Sequence, residues 1–152
     1  MSDNLNKKVL LIGTTQMALD YLKVLKALNC ATTVVGRGQK NAETFEKESG
    51  NKPFIGGVDA FLQNSTSENF DAAIVAVGVE KLAEVTKTLV NKGFKNILLE
   101  KPGALHNQEI QDLANFVSTT KANVLLAYNR RFYAAVLEAE KIREKLESLG
   151  LK

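Results

Sequence analysis

Apolar residues along the chain follow two alternating patterns: short unbroken runs, and stretches in which they recur every three or four positions. The run at residues 7–12, KKVLLI, is continuous rather than alternating, which predicts a strand buried on both faces of a sheet and closed by Gly13. Behind it, Ala18, Tyr21, Leu22, Leu25 and Leu28 fall on one face of a helix. The β-branched segment 31–35 predicts a second strand, AETFEKES a helix ended by Gly50, and KPFI a weak third strand. The second half repeats the pattern. DAAIVAV (71–77) predicts a strand, and Leu82, Val85 and Leu89 a helical stripe that Gly93 ends. NILLE (96–100) predicts a fifth strand. Asn107 is placed to cap the next helix, whose stripe is Ile110, Leu113, Ala114 and Val117. NVLLAY (123–128) is the sixth strand. Ala135, Val136, Ala139, Ile142 and Leu146 then mark one long amphipathic helix over about 132–148.

Strands that alternate with helices pair in parallel, because each helix supplies the right-handed crossover back to the same edge. The pattern therefore predicts an α/β fold: one domain over residues 1–152, built on a doubly wound six-stranded parallel sheet with helices on both faces. In such a sheet ligands sit beyond the C-terminal strand ends, where helix N-termini point and the strand order reverses. Glu100, Lys101 and Pro102 follow the fifth strand, so the charge is expected at this mouth and not in the interior. Side chains of neighbouring strand residues diverge, so no direct Glu100–Lys101 pair is expected.

Composition removes several classes of function. Hydrophobic residues make up 45% of the chain, enough for a substantial core. The net charge of +3 is spread without a basic run, so nucleic acid is not an expected partner. The start is polar, and no apolar run approaches the ~18 residues that cross a bilayer, so no membrane role and a cytoplasmic location are expected. The single cysteine, Cys30, reads as a packing residue, and no metal site is expected.

The turn after the first strand, GTTQMA (Gly13, Thr14, Thr15, Gln16, Met17, Ala18), matches the first and third positions of the dinucleotide-binding G-x-G-x-x-G/A. Thr15 replaces the middle glycine. Its hydroxyl could donate to a phosphate, but its methyl group fills space that glycine leaves empty; an ordinary strand-to-helix turn is the alternative. Gly36, Arg37 and Gly38 begin 23 residues after Gly13, near the ~20-residue offset at which an acid usually reads the ribose 2'-hydroxyl. Arg37 suits a 2'-phosphate instead, so NADP is preferred and NAD remains the second choice.

With these residues in place, the chain resembles the N-terminal half of the glucose-fructose oxidoreductase, inositol dehydrogenase and rhizopine-catabolism (Gfo/Idh/MocA) family. The resemblance runs from about Lys7 to Leu146 and rests chiefly on Glu100-Lys101-Pro102 after ILL, and then on AYNRRFY (127–133). It implies a Rossmann-type NAD(P)-binding domain of an oxidoreductase that transfers hydride to or from a sugar, sugar nucleotide or cyclitol. Lys101 would be the catalytic residue near the nicotinamide. Gly13, Thr14, Thr15, Gln16, Met17, Gly36, Arg37, Val77, Gly78, Glu100 and Lys101 would bind the cofactor, with Asn129, Arg130 and Arg131 facing substrate or a second domain.

The chain departs from the family at the middle glycine and after the fourth strand, where Val77-Gly78 replaces a Thr-Pro pair and its nearby histidine. It also stops where the family's second domain, which carries the substrate floor, a catalytic histidine and the contacts of a homo-oligomer, would begin. Alone, the chain is expected to be inactive. The only histidine, His106, reads as a loop or capping residue, and EAEKIREKLE as a solvated helix face. The competing reading is a non-catalytic nucleotide-sensing or partner-docking module, or a fragment of a longer polypeptide, because fold does not choose among these.

Overall fold

The order of strands across the sheet is β3-β2-β1-β4-β5-β6, all parallel, in a computed structural model that describes residues 6–150. The outermost residues of the single domain read from the sequence, 1–5 and 151–152, lie outside the described residues. The strands are β1 (Lys8–Ile12), β2 (Ala31–Gly36), β3 (Phe54–Ile55), β4 (Ala72–Val75), β5 (Asn96–Leu99) and β6 (Asn123–Leu126). The helices between and after them are α1 (Gln16–Ala27), α2 (Gln39–Ser49), α3 (Gly57–Phe61), α4 (Leu82–Asn91), α5 (Asn107–Ser118) and α6 (Ala134–Ser148).

The unbroken run of β1 behaves as its sequence predicts. Leu10 and Ile12 join the core with α3, α4 and α5, whereas Val9 and Leu11 join the opposite core with α1 and α2. Alternate side chains of one strand thus feed two cores, and no polar position interrupts it. The chain winds outward from β1 to β3, returns to β4 beside β1, and winds outward again, so the strand order reverses between β1 and β4. That reversal opens the crevice in which this architecture binds ligands.

Several local expectations are corrected. The first helix ends at Ala27, so Leu28 lies past its end and is exposed, and Leu19 takes a core place that the stripe had not assigned. The residue before α5 is His106, still extended (φ −129°, ψ 153°), and Asn107 is already helical, so Asn107 is not the cap. Here the Glu109 carboxylate accepts the Leu105 N–H at 2.9 Å, meeting a donor from within the first turn. Ala114 is exposed, and Phe116 packs on the core beside Val117. The short helix α3 and the 3-10 turns Ser67–Asn69, Val79–Lys81 and Asn129–Phe132 have too few residues to show a period. Helix α6 forms, but none of its residues is buried. An apolar stripe records amphipathicity; burial needs a second surface, and the described residues provide none.

Candidate functional site

The turns after β1, β2, β3 and β4 surround a cavity of about 420 Å³, within the usual size range of small-molecule sites. Of the residues singled out in the sequence, Gly13, Thr14, Thr15, Gly36, Arg37, Val77 and Gly78 line it. Two glycines make the close packing here feasible. Gly13 has φ +133°, and a side chain on it would collide with the carbonyl oxygen of Ala76. A Cβ on Gly36 would stand 2.6 Å from Thr14 Cγ2, so the β1 turn lies directly on the end of β2. The Gly13 N–H donates to the Val35 carbonyl at 2.9 Å, and the Ala76 N–H to the Ile12 carbonyl at 2.8 Å, which ties three strand ends together.

Thr15 occupies the position before α1 in extended conformation (φ −95°, ψ 177°), and its side chain makes no capping bond. The first N–H groups of the helix, including those of Gln16 and Met17, are donors without intrahelical partners. They carry the positive end of the helix dipole. Gln16 and Met17 themselves are exposed and do not line the cavity.

Charge in the cavity is mixed. Arg37 is exposed, and no carboxylate lies within ion-pair distance of it among the described residues. Opposite, Lys81 pairs with Glu84 at 2.6 Å, and the Glu80 carboxylate sits over Gly78, 2.5 Å from where a Cβ would be. Asp59 and the adjacent glycines Gly56 and Gly57, both at positive φ, complete the β3 side. These residues were missed in the sequence; the Gly-Gly pair after the third strand was the one signal for a tight turn there.

Glu100 and Lys101 lie outside this cavity, at the end of β5. The two residues do not share the exposure expected of a mouth. The Glu100 side chain is 11% exposed and belongs to the interior, while the Lys101 side chain is 52% exposed. Strand alternation carries Glu100 down onto α1, where the Tyr21 hydroxyl donates to its Oε2 at 2.6 Å. Its Oε1 lies 3.8 Å from Lys101 Nζ, close enough for an ion pair and too long for a hydrogen bond, so the two side chains do meet in part. Lys101 escapes the divergence of strand neighbours because it has left the strand, in a turn with a cis Lys101–Pro102 bond. Asn129, Arg130 and Arg131 lie in the exposed turn after β6, away from the cavity.

Burial first, and then the hydrogen bond to Glu100 and its charge, push the Tyr21 phenol well above its ordinary 10.0. A raised phenol stabilises the fold fully below that ordinary value and progressively less as pH rises toward the folded-state value. Urea unfolding between about pH 8 and about pH 11 is expected to show stability falling above about pH 10, with a shallower fall in Tyr21→Phe. Parallel curves for the two proteins would show that Tyr21 is not the group involved.

Comparison with known proteins adds the lineage. The family described as "Oxidoreductase family, NAD-binding Rossmann fold" (GFO_IDH_MocA) matches residues 7–128. No curated protein sequence matches. Among solved structures, a putative myo-inositol dehydrogenase from Sinorhizobium meliloti 1021 is similar, with TM-score 0.72 at 20% identity over 93% of this chain and 42% of that one. A UDP-N-acetylglucosamine 3-dehydrogenase from Acidithiobacillus ferrooxidans has TM-score 0.72 at 17% identity over 90% and 43% of the two chains. An oxidoreductase from Agrobacterium radiobacter, in complex with NAD+, L-tartaric acid and magnesium, has TM-score 0.79 at 15% identity over 93% and 41%. At these identities the likeness is one of fold, and the chain spans less than half of each of these proteins.

Proposed function

From the premise that the chain belongs to the Gfo/Idh/MocA oxidoreductase family, NAD-binding Rossmann fold, we propose that it holds the nicotinamide dinucleotide of an NAD(P)-dependent oxidoreductase. The reaction is hydride transfer to or from a sugar, sugar nucleotide or cyclitol. The observation that carries this reading is the cavity at the strand reversal, where Gly13 and Gly36 bring backbone close to unengaged helix N–H donors. Those donors suit a pyrophosphate. Thr15 adds a hydroxyl at the same point and narrows the approach that a glycine would leave.

Adenosine then lies on the β2 side, in the cavity, and the nicotinamide over β4 and β5, toward Lys101. The nicotinamide supplies or accepts the hydride. Lys101 contributes positive charge or a proton donor against developing alkoxide charge on the substrate oxygen. A second domain, consistent with the span of less than half of the solved relatives, supplies the substrate floor and the contacts of a homo-oligomer. Asn129, Arg130 and Arg131, beyond β6, face that domain or a substrate phosphate. No helix among the described residues is long and apolar enough to cross a membrane.

NADP is the preferred cofactor, because Arg37 has no ion-pair partner among the described residues and stands at the ribose-reading position. Calorimetric titration is expected to show NADP binding roughly tenfold more tightly than NAD, about 1.4 kcal/mol. Arg37→Ala should remove most of that ratio. Equal affinities in the parent protein would end the preference, and binding of neither would implicate Thr15 in blocking the pyrophosphate.

A further inference from the structure

We propose that Tyr21 is a positioning residue for Lys101, acting through the Glu100 carboxylate; the inference rests on the placement of Lys101 beside the nicotinamide. Three contacts carry it. The Glu100 N–H donates to the Val75 carbonyl at 2.9 Å, which fixes the backbone where β5 ends. The Tyr21 hydroxyl, 79 residues away in sequence, takes Oε2 at 2.6 Å, the length of a strong charge-assisted bond. The remaining oxygen, Oε1, is left 3.8 Å from the Lys101 ammonium.

Each contact constrains what the next can do. A carboxylate held at one end by its backbone and at one oxygen by a phenol cannot rotate freely, so the direction of its second oxygen is set. Lys101 is half exposed on a flexible stem with several rotors, and an exposed ammonium alone would sample many positions. Attraction to a fixed carboxylate narrows that sampling. At 3.8 Å no hydrogen bond is made, so the ammonium keeps its donors for a substrate oxygen and has no bond to break first. Packing alone does not account for the arrangement. A phenylalanine would fill the position of Tyr21, whereas a buried carboxylate is costly to keep unless it is bonded. Tyr21 also sits on α1, and Thr15, the residue before that helix, lines the cavity, so one helix links the two halves of the proposed site.

The test uses this protein with NADPH as the probe. Nicotinamide emission responds to nearby charge, and read at saturating protein it does not depend on affinity. Lys101→Met is expected to displace the emission maximum of bound NADPH. Tyr21→Phe, which keeps the ring and loses the hydroxyl, should displace it in the same direction by a smaller amount. Thermal unfolding in parallel separates lost packing, which lowers the midpoint without moving the emission of molecules that remain folded. An unchanged maximum in Lys101→Met overturns the placement of Lys101 and this inference with it. A displaced maximum in Lys101→Met beside an unchanged one in Tyr21→Phe leaves Lys101 in place and overturns the role of Tyr21. Should Tyr21→Phe not fold, Tyr21→Leu, which also lacks the hydroxyl, decides, and an unchanged maximum there overturns the inference.

Discussion

Replacing Lys101 with methionine is expected to slow turnover roughly a hundredfold or more, the scale of losing one donor aimed at transition-state charge. The measurement belongs to a polypeptide that carries both this domain and a substrate domain. Methionine keeps most of the apolar stem, and half of the lysine side chain is already in water, so stability should change by only about 0.5–1 kcal/mol. Glu100 would lose the ammonium near Oε1 but keep the hydroxyl of Tyr21, which limits the penalty of leaving its charge unpaired. Cofactor affinity should move far less than turnover, because the site proposed for phosphates and adenosine is a cavity that Lys101 does not line. Turnover, thermal unfolding and NADP titration on the same two proteins separate these effects. A large loss of stability with unchanged activity per folded molecule would make Lys101 a structural residue.

Gly13→Ala is expected to be the most destabilising of the substitutions considered, at roughly 3–5 kcal/mol. Two terms add. At φ +133° the backbone is in a region that side-chain-bearing residues rarely adopt, which costs about 1–3 kcal/mol. The new methyl would also strike the Ala76 carbonyl, a backbone group that cannot step aside without separating the end of β4 from β1. For a chain of 152 residues this corresponds to a fall in Tm of roughly 6–20 °C. Gly38→Ala is the control. Nothing lies within 4 Å of the new methyl and the backbone is ordinary (φ −105°), so it should cost less than about 1 kcal/mol, chiefly as a poorer helix cap. Because Gly13 also forms the wall of the cavity, any folded Gly13→Ala protein should bind NADP more weakly. Thermal unfolding of the two variants within about 1 kcal/mol of each other would show that the turn relaxes and that the close approach is not a constraint.

How much of this was present in the chain before folding can be seen at three places. Within residues 7–12, the run from Val9 to Ile12 declared a strand buried on both faces because no polar residue interrupts it, and a strand with two dry faces requires helices on both sides. Six strands, five of them followed by a helical period, then pointed to a parallel sheet with crossovers. Gly13, Gly36 and Val77-Gly78 line the cavity because each lies at or just past the C-terminal end of a strand, and in a parallel sheet all such positions come to one edge. These properties are local, or follow from chirality and connection length, and a sequence expresses them directly.

Other features depended on tertiary structure alone. Periodicity says which face of α1 Tyr21 occupies but not which strand end it reaches, and the bond to Glu100 exists only because β5 lies beyond β4 in the sheet. Glu100 was read as exposed because a charge at a strand end usually is; a donor from a distant helix makes its burial tolerable. Asp59 and Glu80 come to the cavity from segments too short to carry a period, and Glu84 from a helix whose period shows its apolar stripe and not what its polar residues meet. The stripe on α6 was legible, but its burial was not, because a hydrophobic face is a property of one helix and a covered face is a property of two surfaces. The sequence by itself determined the elements, their parallel order and the edge at which their turns gather. Which side chains meet at that edge was decided by packing, since partners far apart in the chain are brought together by strand order and helix placement and leave no local pattern behind.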